Sequence, residues 1–347
     1  MLLNNTSYAH ELDEDILSTN HYISYDIKNE SILFSKNINE KVYPASLTKI
    51  MTAIILLDSY NFNDYIVTKY PINYIEDGKV AYIPANIEIT IVNLLELLLI
   101  YSANDAAYIS AMAVSGNIDD FVLLMNNKAK AFGMENTNFI NPDGMDELNH
   151  YTTLSDILKM TLKAIQIKEI ISLVSKESFI SNISGNDVIY YSTNMLLEEG
   201  FIGLKTGWTD MAGLTFIGLN LNNNREIITI VNKSKVDENK YSHFSDSKLL
   251  YKTSIETFNN YQIINKNDNI YNLRNGYMYE TYKSDFEWIE FINLSEINNI
   301  LLYKYNDKKL TLTFNKYNKS FNIENSNTKI TWNFNPLKIF KINATQY

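Results

Sequence analysis

Tyr43-Pro44-Ala45-Ser46-Leu47-Thr48-Lys49-Ile50-Met51-Thr52 is the stretch that decides how this chain is organised, because it sets a serine and a lysine three residues apart at the mouth of an apolar helix. Residues i and i+3 share one face of a helix. The run from Ile50 to Leu57 is apolar nearly all round, which predicts a helix sunk in the core with only its first turn reaching a cleft. A buried ammonium is costly to keep charged, so Lys49 is expected to have a depressed pKa and, as a neutral amine, to take the proton of the Ser46 hydroxyl. That is the chemistry of a serine acyl-enzyme. The helix N-terminus also favours negative charge developing beside Ser46.

The Ser-x-x-Lys spacing is unspecific alone, since it recurs at Ser245–Lys248 and Ser326–Lys329, both expected to be exposed. The surroundings add the specificity. Upstream, Tyr22–Ile27 and Ser31–Phe34 alternate about a Lys28-Asn29-Glu30 turn and read as a hairpin. Downstream, residues 62–90 carry short apolar pieces broken by Pro71, Asp77-Gly78 and Pro84, a region of loops with brief strands. Thr90 then opens a second apolar helix that stops at Tyr101-Ser102-Ala103-Asn104-Asp105, and a third leaves at once through Ala106–Met112. Ser102 and Asn104 are therefore expected at a junction of buried helices, where polar side chains can be held rigidly toward a cleft.

A further helix, Ile118–Phe132, stops at Gly133. Asn141-Pro142-Asp143-Gly144 is a tight turn, and Thr153–Ile165 is helical again. Strands are expected at Val188–Tyr191, at Phe201–Leu204 running into Lys205-Thr206-Gly207-Trp208-Thr209, at Leu214–Leu219 and at Glu226–Val231. A helix from about Ser242 to Tyr261 follows. From 263 to 342 the pattern has strand period and is rich in Tyr, Phe and Trp, more in the manner of a core and sheet face than a sugar-binding strip. The domain boundary is placed near Asn260–Gln262, giving domains 20–260 and 263–342.

With 347 residues and 46% hydrophobic content the chain can fill a sizeable core. A net charge of −10, with Arg225 and Arg274 as its arginines, leaves no basic stripe for phosphates, which argues against nucleic-acid binding. The absence of cysteine excludes a disulfide framework, a thiolate metal site and cysteine catalysis. His10, His21, His150 and His243 are scattered and are expected as surface or loop residues rather than metal ligands, with His150 bracing the loop that follows the Asn-Pro-Asp-Gly turn. No apolar run reaches the length of a membrane span. The first residues lack both a basic region and an apolar core, so they do not form a signal peptide as written.

Three signatures stand in order: Ser46-x-x-Lys49 at a buried helix start, Ser102-x-Asn104 in a helix junction and Lys205-Thr206-Gly207 on a strand. Ser115-Gly116-Asn117 and Ser184-Gly185-Asn186 repeat the middle one, but neither lies in such a context. The arrangement resembles the penicillin-recognising serine enzymes, and more closely the low-molecular-mass penicillin-binding proteins that act as D-alanyl-D-alanine carboxypeptidases. Ser102-Ala103-Asn104-Asp105-Ala106-Ala107, Gly133-Met134-Glu135-Asn136-Thr137-Asn138-Phe139, Asn141–Gly144 and Lys205–Thr209 extend the resemblance over roughly residues 20–260.

The resemblance implies an α/β (α+β) fold: a β-lactamase/transpeptidase-like catalytic domain with an antiparallel sheet flanked by helices, plus a small all-β C-terminal domain. It implies Ser46 as nucleophile, Lys49 as base, and Ser102 relaying a proton between Lys49 and the leaving amine. Asn104 would bind the substrate's amide carbonyl, Lys205 and Thr206 its terminal carboxylate, and Gly207 would leave room along the strand edge. Backbone N–H groups of Ser46 and Trp208 would form the oxyanion hole. Expected partners are peptidoglycan stem peptides ending in D-Ala-D-Ala and β-lactams, without cofactor or metal, on the cell-wall side of the membrane after loss of a leader. The stretch Pro336–Tyr347 offers no clear anchor helix.

Two alternatives share the signatures. A serine β-lactamase would need a carboxylate to activate the deacylating water, and the chain offers Glu135-Asn136-Thr137-Asn138 rather than a Glu-x-x-x-Asn turn. A non-catalytic wall scaffold of the same fold is the other.

Overall fold

The computed structural model describes residue 12 and residues 16–28, 30–221, 225–236, 238 and 241–257 with their side chains, and the backbone of strands between 258 and 342. The chain divides into two compact units, Met1–Lys252 and Thr253–Tyr347.

The first unit is built on a five-stranded antiparallel sheet. Its first strands, β1 (His21–Asp26) and β2 (Ser31–Lys36), form the expected hairpin. Three late strands complete it: β7 (Lys205–Thr209), β8 (Gly213–Asn220) and β9 (Ile227–Ser234), in the order β2-β1-β9-β8-β7. The strand expected at Phe201–Leu204 is reduced to a bridge from Phe201 to Asn220 and bonds from the Ile202 and Leu204 N–H groups to β8, so the strand proper begins at Lys205.

Both sheet faces are covered, which is why β8 reads as apolar at almost every position. Ile217, Leu219, Ile228 and Ile230 face the main core together with Ile23 and Tyr25. Phe216 and Thr229 point the other way, to α7 (Ser242–Thr257), where Phe216 packs edge-on to Phe244 at 5.1 Å and Thr229 Oγ1 meets Ser247 Oγ at 2.5 Å. The α7 helix stops four residues short of its expected end: Phe258 opens a strand.

The main core is centred on α1 (Thr48–Ser59), whose residues Thr48 to Leu56 are all buried. Ile50 and Leu56 are fully enclosed, each such side chain contributing about 1.5–3 kcal/mol by leaving water, and truncating either to Ala would cost about 2–5 kcal/mol. The helix ends where Tyr60 turns extended and its hydroxyl donates to the Ala113 carbonyl.

A short pair, β3 (Tyr65–Val67) and β4 (Glu88–Thr90), brackets the loop 68–87. The α2 helix (Ile91–Glu96) is capped by the Thr90 hydroxyl, which accepts from Asn93 N, and widens into a π-helical turn, Leu97–Tyr101. Then follow α3 (Asn104–Ser115), α4 (Ile118–Ala131) and α5 (Leu154–Ala164), the last two capped by Asn117 and Thr153. Two elements were not foreseen, α6 (Lys168–Val174) and β5 (Ser178–Ser181); β5 pairs with β6 (Val188–Tyr191).

The second unit contains antiparallel strands. Phe258–Ile264 pairs with Trp288–Asn293, and Asn269–Arg274 with Tyr277–Lys283. The strands Ile300–Tyr305, Lys308–Asn315, Ser320–Asn325, Thr328–Asn333 and Lys341–Ile342 make an up-and-down sheet. The reading of its aromatic residues, the first residues of the chain and most of Pro336–Tyr347 lie outside the residues whose side chains are described.

Candidate active site

Ser46 sits half-buried in a 3₁₀ turn, Ala45–Leu47, that leads directly into α1. The turn is set by its neighbours. Ala45 takes a left-handed φ of 47°, unusual for a residue with a side chain, and the Asn141–Gly144 turn is pressed against it. Gly144 has φ 90°, and a Cβ there would lie 1.8 Å from the Ala45 carbonyl oxygen, so only glycine fits. Thr52 Oγ1 donates to the Pro142 carbonyl at 2.6 Å, fixing the turn to α1.

Lys49 is wholly buried and donates three hydrogen bonds: to Ser46 Oγ at 2.9 Å, to Asn104 Oδ1 at 2.7 Å and to the Asp143 carbonyl at 2.7 Å. An ammonium has three donors, and all are used. All three acceptors are uncharged, so they offset only part of the lost hydration. Burial lowers the Lys49 pKa to about 8 against the opposing pull of Asp143 and Asp105, with the charge of Lys79 adding to the drop. Burial raises the Asp143 carboxyl in turn.

Ser102 and Asn104 stand at the helix junction. The π-helical turn ends with Ser102 in the left-handed region, φ 72°, and the Ala103 N–H returns to the Leu97 carbonyl at 2.9 Å. This reversal aims Ser102 back toward the sheet. Lys205 Nζ donates to Ser102 Oγ at 2.7 Å and to the Thr206 carbonyl at 2.9 Å. Burial, then the charges of Lys49 and Lys79, hold the Lys205 amine well below its ordinary pKa. Ser102 thus meets Lys205 rather than Lys49 in this structure.

Strand β7 is at the sheet edge, with its other side toward the Ser46 turn. A Cβ on Gly207 would lie 3.0 Å from Ala45 Cβ and 3.1 Å from the Ser46 nitrogen, so this glycine lets the strand lie against the nucleophile's turn. Trp208, next along, is 45% exposed. Thr209 Oγ1 donates to Asp146 at 2.7 Å and closes the floor between β7 and the Asn-Pro-Asp-Gly loop.

All seven residues singled out as catalytic or substrate-binding therefore converge. The repeated signatures do not: Ser115 and Gly116 end α3, Gly185 lies in the β5–β6 turn, and Lys248 pairs with Glu199 on the surface. Ser326 and Asn327 lie outside the described residues.

Sequence reasoning missed several supports. The Asp143 carbonyl that holds Lys49 belongs to a turn whose backbone role no side chain announces. Asp105, fully buried, accepts from the N–H groups of Ala81 and Ile83 and pins the 68–87 loop. Thr193 accepts from Thr206 Oγ1 at 2.7 Å. Its only signal was nearness to a strand end. The histidines correct an expectation in part: His243, expected as a surface or loop residue, is buried on α7, whereas His150, though buried, lies in the loop where it was expected; His21 pairs with Glu40, and His10 lies outside the described residues. His150 Nε2 lies 3.3 Å from Thr48 Oγ1 and its ring meets Phe139 edge-on, so it packs as a neutral ring that braces the loop to α1.

A hydroxyl beside a partly discharged amine, facing an edge strand with a second buried lysine, is an arrangement for acyl transfer to serine from a carboxylate-bearing peptide. A family model described as D-alanyl-D-alanine carboxypeptidase matches residues 8–236, a span that holds all three signatures. The chain belongs to the D-alanyl-D-alanine carboxypeptidase family, peptidase S11. A relative within it is the D-alanyl-D-alanine carboxypeptidase DacF of Bacillus subtilis, 31% identical over 189 residues, which are 52% of this chain and 48% of that protein. The chain spans about half the length of the curated relatives it matches.

Among solved structures, penicillin-binding protein D2 of Listeria monocytogenes in its cefotaxime-bound form is 28% identical, with a TM-score of 0.61 over 69% of this chain and 98% of that one. The carboxypeptidase DacD of Francisella tularensis, 20% identical, shares the fold with a TM-score of 0.69 over 90% of each chain. The family fold is the expected one, mixed α/β with an antiparallel sheet flanked by helices.

Proposed function

We propose that this chain is a serine D-alanyl-D-alanine carboxypeptidase that removes the terminal D-alanine from peptidoglycan pentapeptides through an acyl-enzyme on Ser46. The observation that carries the reading is the 2.9 Å hydrogen bond between Ser46 Oγ and the buried Lys49 amine, held by neutral oxygens alone.

In its neutral form Lys49 accepts the Ser46 proton as Oγ attacks the carbonyl carbon of the penultimate D-alanine. Negative charge on the carbonyl oxygen is taken by the backbone N–H groups of Ser46 and Trp208; one such donor is worth on the order of 10²–10³ in rate. Collapse breaks the C–N bond, and the proton passes by way of Ser102 to the leaving amine. Water, deprotonated by Lys49, then attacks the ester and restores Ser46. Asn104 orients Lys49 and the substrate amide, while Lys205 and Thr206 receive the terminal carboxylate. Gly207 keeps the edge strand open to the peptide.

Domain 20–260 carries this chemistry, and domain 263–342 is its β-rich companion. The substrate places the work on the cell-wall side of the membrane. Among the described residues no helix is long and apolar enough to cross a membrane.

The test is mass spectrometry of a pentapeptide before and after incubation, with fluorescent penicillin in parallel. Loss of one D-alanine and a covalent band, both abolished in Ser46→Ala, are expected. An unlabelled protein that leaves the peptide intact would be a scaffold, and rapid multiple turnover of nitrocefin would make it a β-lactamase; either overturns the reading.

A further inference from the structure

We propose that Lys79 is a further substrate-binding residue of this site, a third cation that draws the substrate's terminal carboxylate toward Lys205; the inference rests on the carboxypeptidase reading above. Its own contacts and those of its loop tie it to the machinery. The Lys79 carbonyl accepts the Asn104 N–H at 2.7 Å, and two residues earlier the Asp77 carbonyl accepts Asn104 Nδ2 at 2.7 Å. Gly78 lies between them, where a Cβ would come within 2.6 Å of Asn104 Nδ2, so the loop is pressed onto that side chain. The Lys79 amine stands 4.1 Å from the centroid of the Tyr101 ring, and Tyr101 immediately precedes Ser102, the acceptor of Lys205. Tyr101 is itself propped edge-on against Tyr190 at 4.8 Å.

Lys79 is exposed to solvent at the rim, and an anion that binds between it and the buried lysines would relieve the repulsion among them. The charge of Lys79 is felt at both Lys49 and Lys205. Among the described residues no carboxylate pairs with Lys79: the nearest in sequence, Asp77, accepts from the Gly78 N–H at 2.7 Å. An aromatic face attracts a cation without neutralising it. On a chain of net charge −10, Lys79 beside the buried Lys205 makes a local positive focus for a carboxylate, while Lys49, its donors already used, stays out of that contact.

The test uses the full chain and two N-acetyl-D-alanyl thioesters whose leaving groups are mercaptoacetate and mercaptoacetamide, equal in shape and differing in charge. The protein has no cysteine, so a thiol reagent reads only the product. Lys79→Met should raise KM for the mercaptoacetate ester about five- to tenfold with kcat within about twofold, an effect that fades in about 0.5 M salt. The mercaptoacetamide ester should keep its kcat/KM within about twofold, and Lys79→Arg should retain most of the wild-type KM, since either cation attracts a carboxylate. Equal losses on both esters would mean that Lys79 only props the Tyr101 ring, and an unchanged KM for the charged ester would mean it does not reach the substrate. Either overturns the proposal while leaving the carboxypeptidase reading intact. A wild-type protein that hydrolyses neither ester and takes no penicillin would sink that reading and this one with it.

Discussion

Lys205 donates to the Ser102 hydroxyl at 2.7 Å, joining the edge strand to the helix junction across 103 positions of sequence. When Lys205 is an ammonium it can only donate, so the Ser102 oxygen is the acceptor and its own proton is free to be given away. This fits a residue that hands a proton to a departing amine.

Ser102→Ala should therefore harm substrates according to their leaving group. A peptide amine must be protonated to leave, whereas a thiolate leaves unaided. Turnover of D-Ala-D-Ala peptides should fall on the order of 10²–10³-fold, within the usual range for a lost acid, while thioester turnover falls about tenfold or less. Steady-state kinetics on the two substrates would decide it; equal losses would assign Ser102 a purely binding role.

The pH dependence of acylation follows from Lys49. With a pKa of about 8, most of the amine is protonated at neutrality and cannot act as base. The rate should rise about tenfold per pH unit below that value and level off above it. Lys205, itself lowered, must be protonated to hold a carboxylate, so KM should grow as pH rises and the limb at high pH should turn down. Penicillin acylation measured from pH 6 to 10 checks both limbs. Lys49→Arg, which stays charged throughout, should lose at least about 10²-fold everywhere.

Two glycines with similar backbone angles should respond oppositely. Gly144→Ala would drive a Cβ into the Ala45 carbonyl and displace the turn bearing Ser46, so penicillin labelling should be largely lost. Gly116→Ala, at φ 75° with open space around it, should cost only about 1–2 kcal/mol of left-handed strain and leave labelling unchanged. Denaturation curves and gel fluorescence on the pair separate strain from collision.

His150 supplies a stability prediction. Burial lowers its pKa to about 4, so between roughly pH 6.5 and 4 the unfolded chain binds a proton that the folded one refuses. Stability from this group is complete above about pH 6.5 and falls as the solution is acidified, by about 3 kcal/mol at the lower limit. Urea unfolding at pH 7 and pH 4.5 should show His150→Asn less stable at pH 7 but shallower in slope than the parent. An equal slope would remove His150 from the account.

The α1 helix, the first hairpin and the three signatures were legible because each is a local pattern of side-chain types. Ile50 to Leu57 has no polar face, and such a helix has nowhere to go but the core. The supports were not legible, for definite reasons. The Asp143 carbonyl and the Lys79 carbonyl act through backbone atoms that every residue possesses. The π-helical turn that aims Ser102 lies inside an unbroken apolar run with no glycine or proline to mark it. His243 was expected at the surface or in a loop because composition carries no trace of which polar residues a fold encloses. The Ser-x-x-Lys copy at 245–248 shows the converse: the same spacing on α7 gives only a surface ion pair, because what meets Lys248 from distant sequence is the exposed carboxylate of Glu199.

The three oxygens that hold Lys49 come from positions 46, 104 and 143, and its fellow lysine enters from 205. No contiguous fragment much shorter than that interval assembles the cage. Under the proposed function, covalent capture of a fluorescent β-lactam therefore doubles as a gauge of native assembly, reporting chain by chain whether remote segments have met, and a partly misfolded population should register as a reduced labelled fraction rather than a slower reaction.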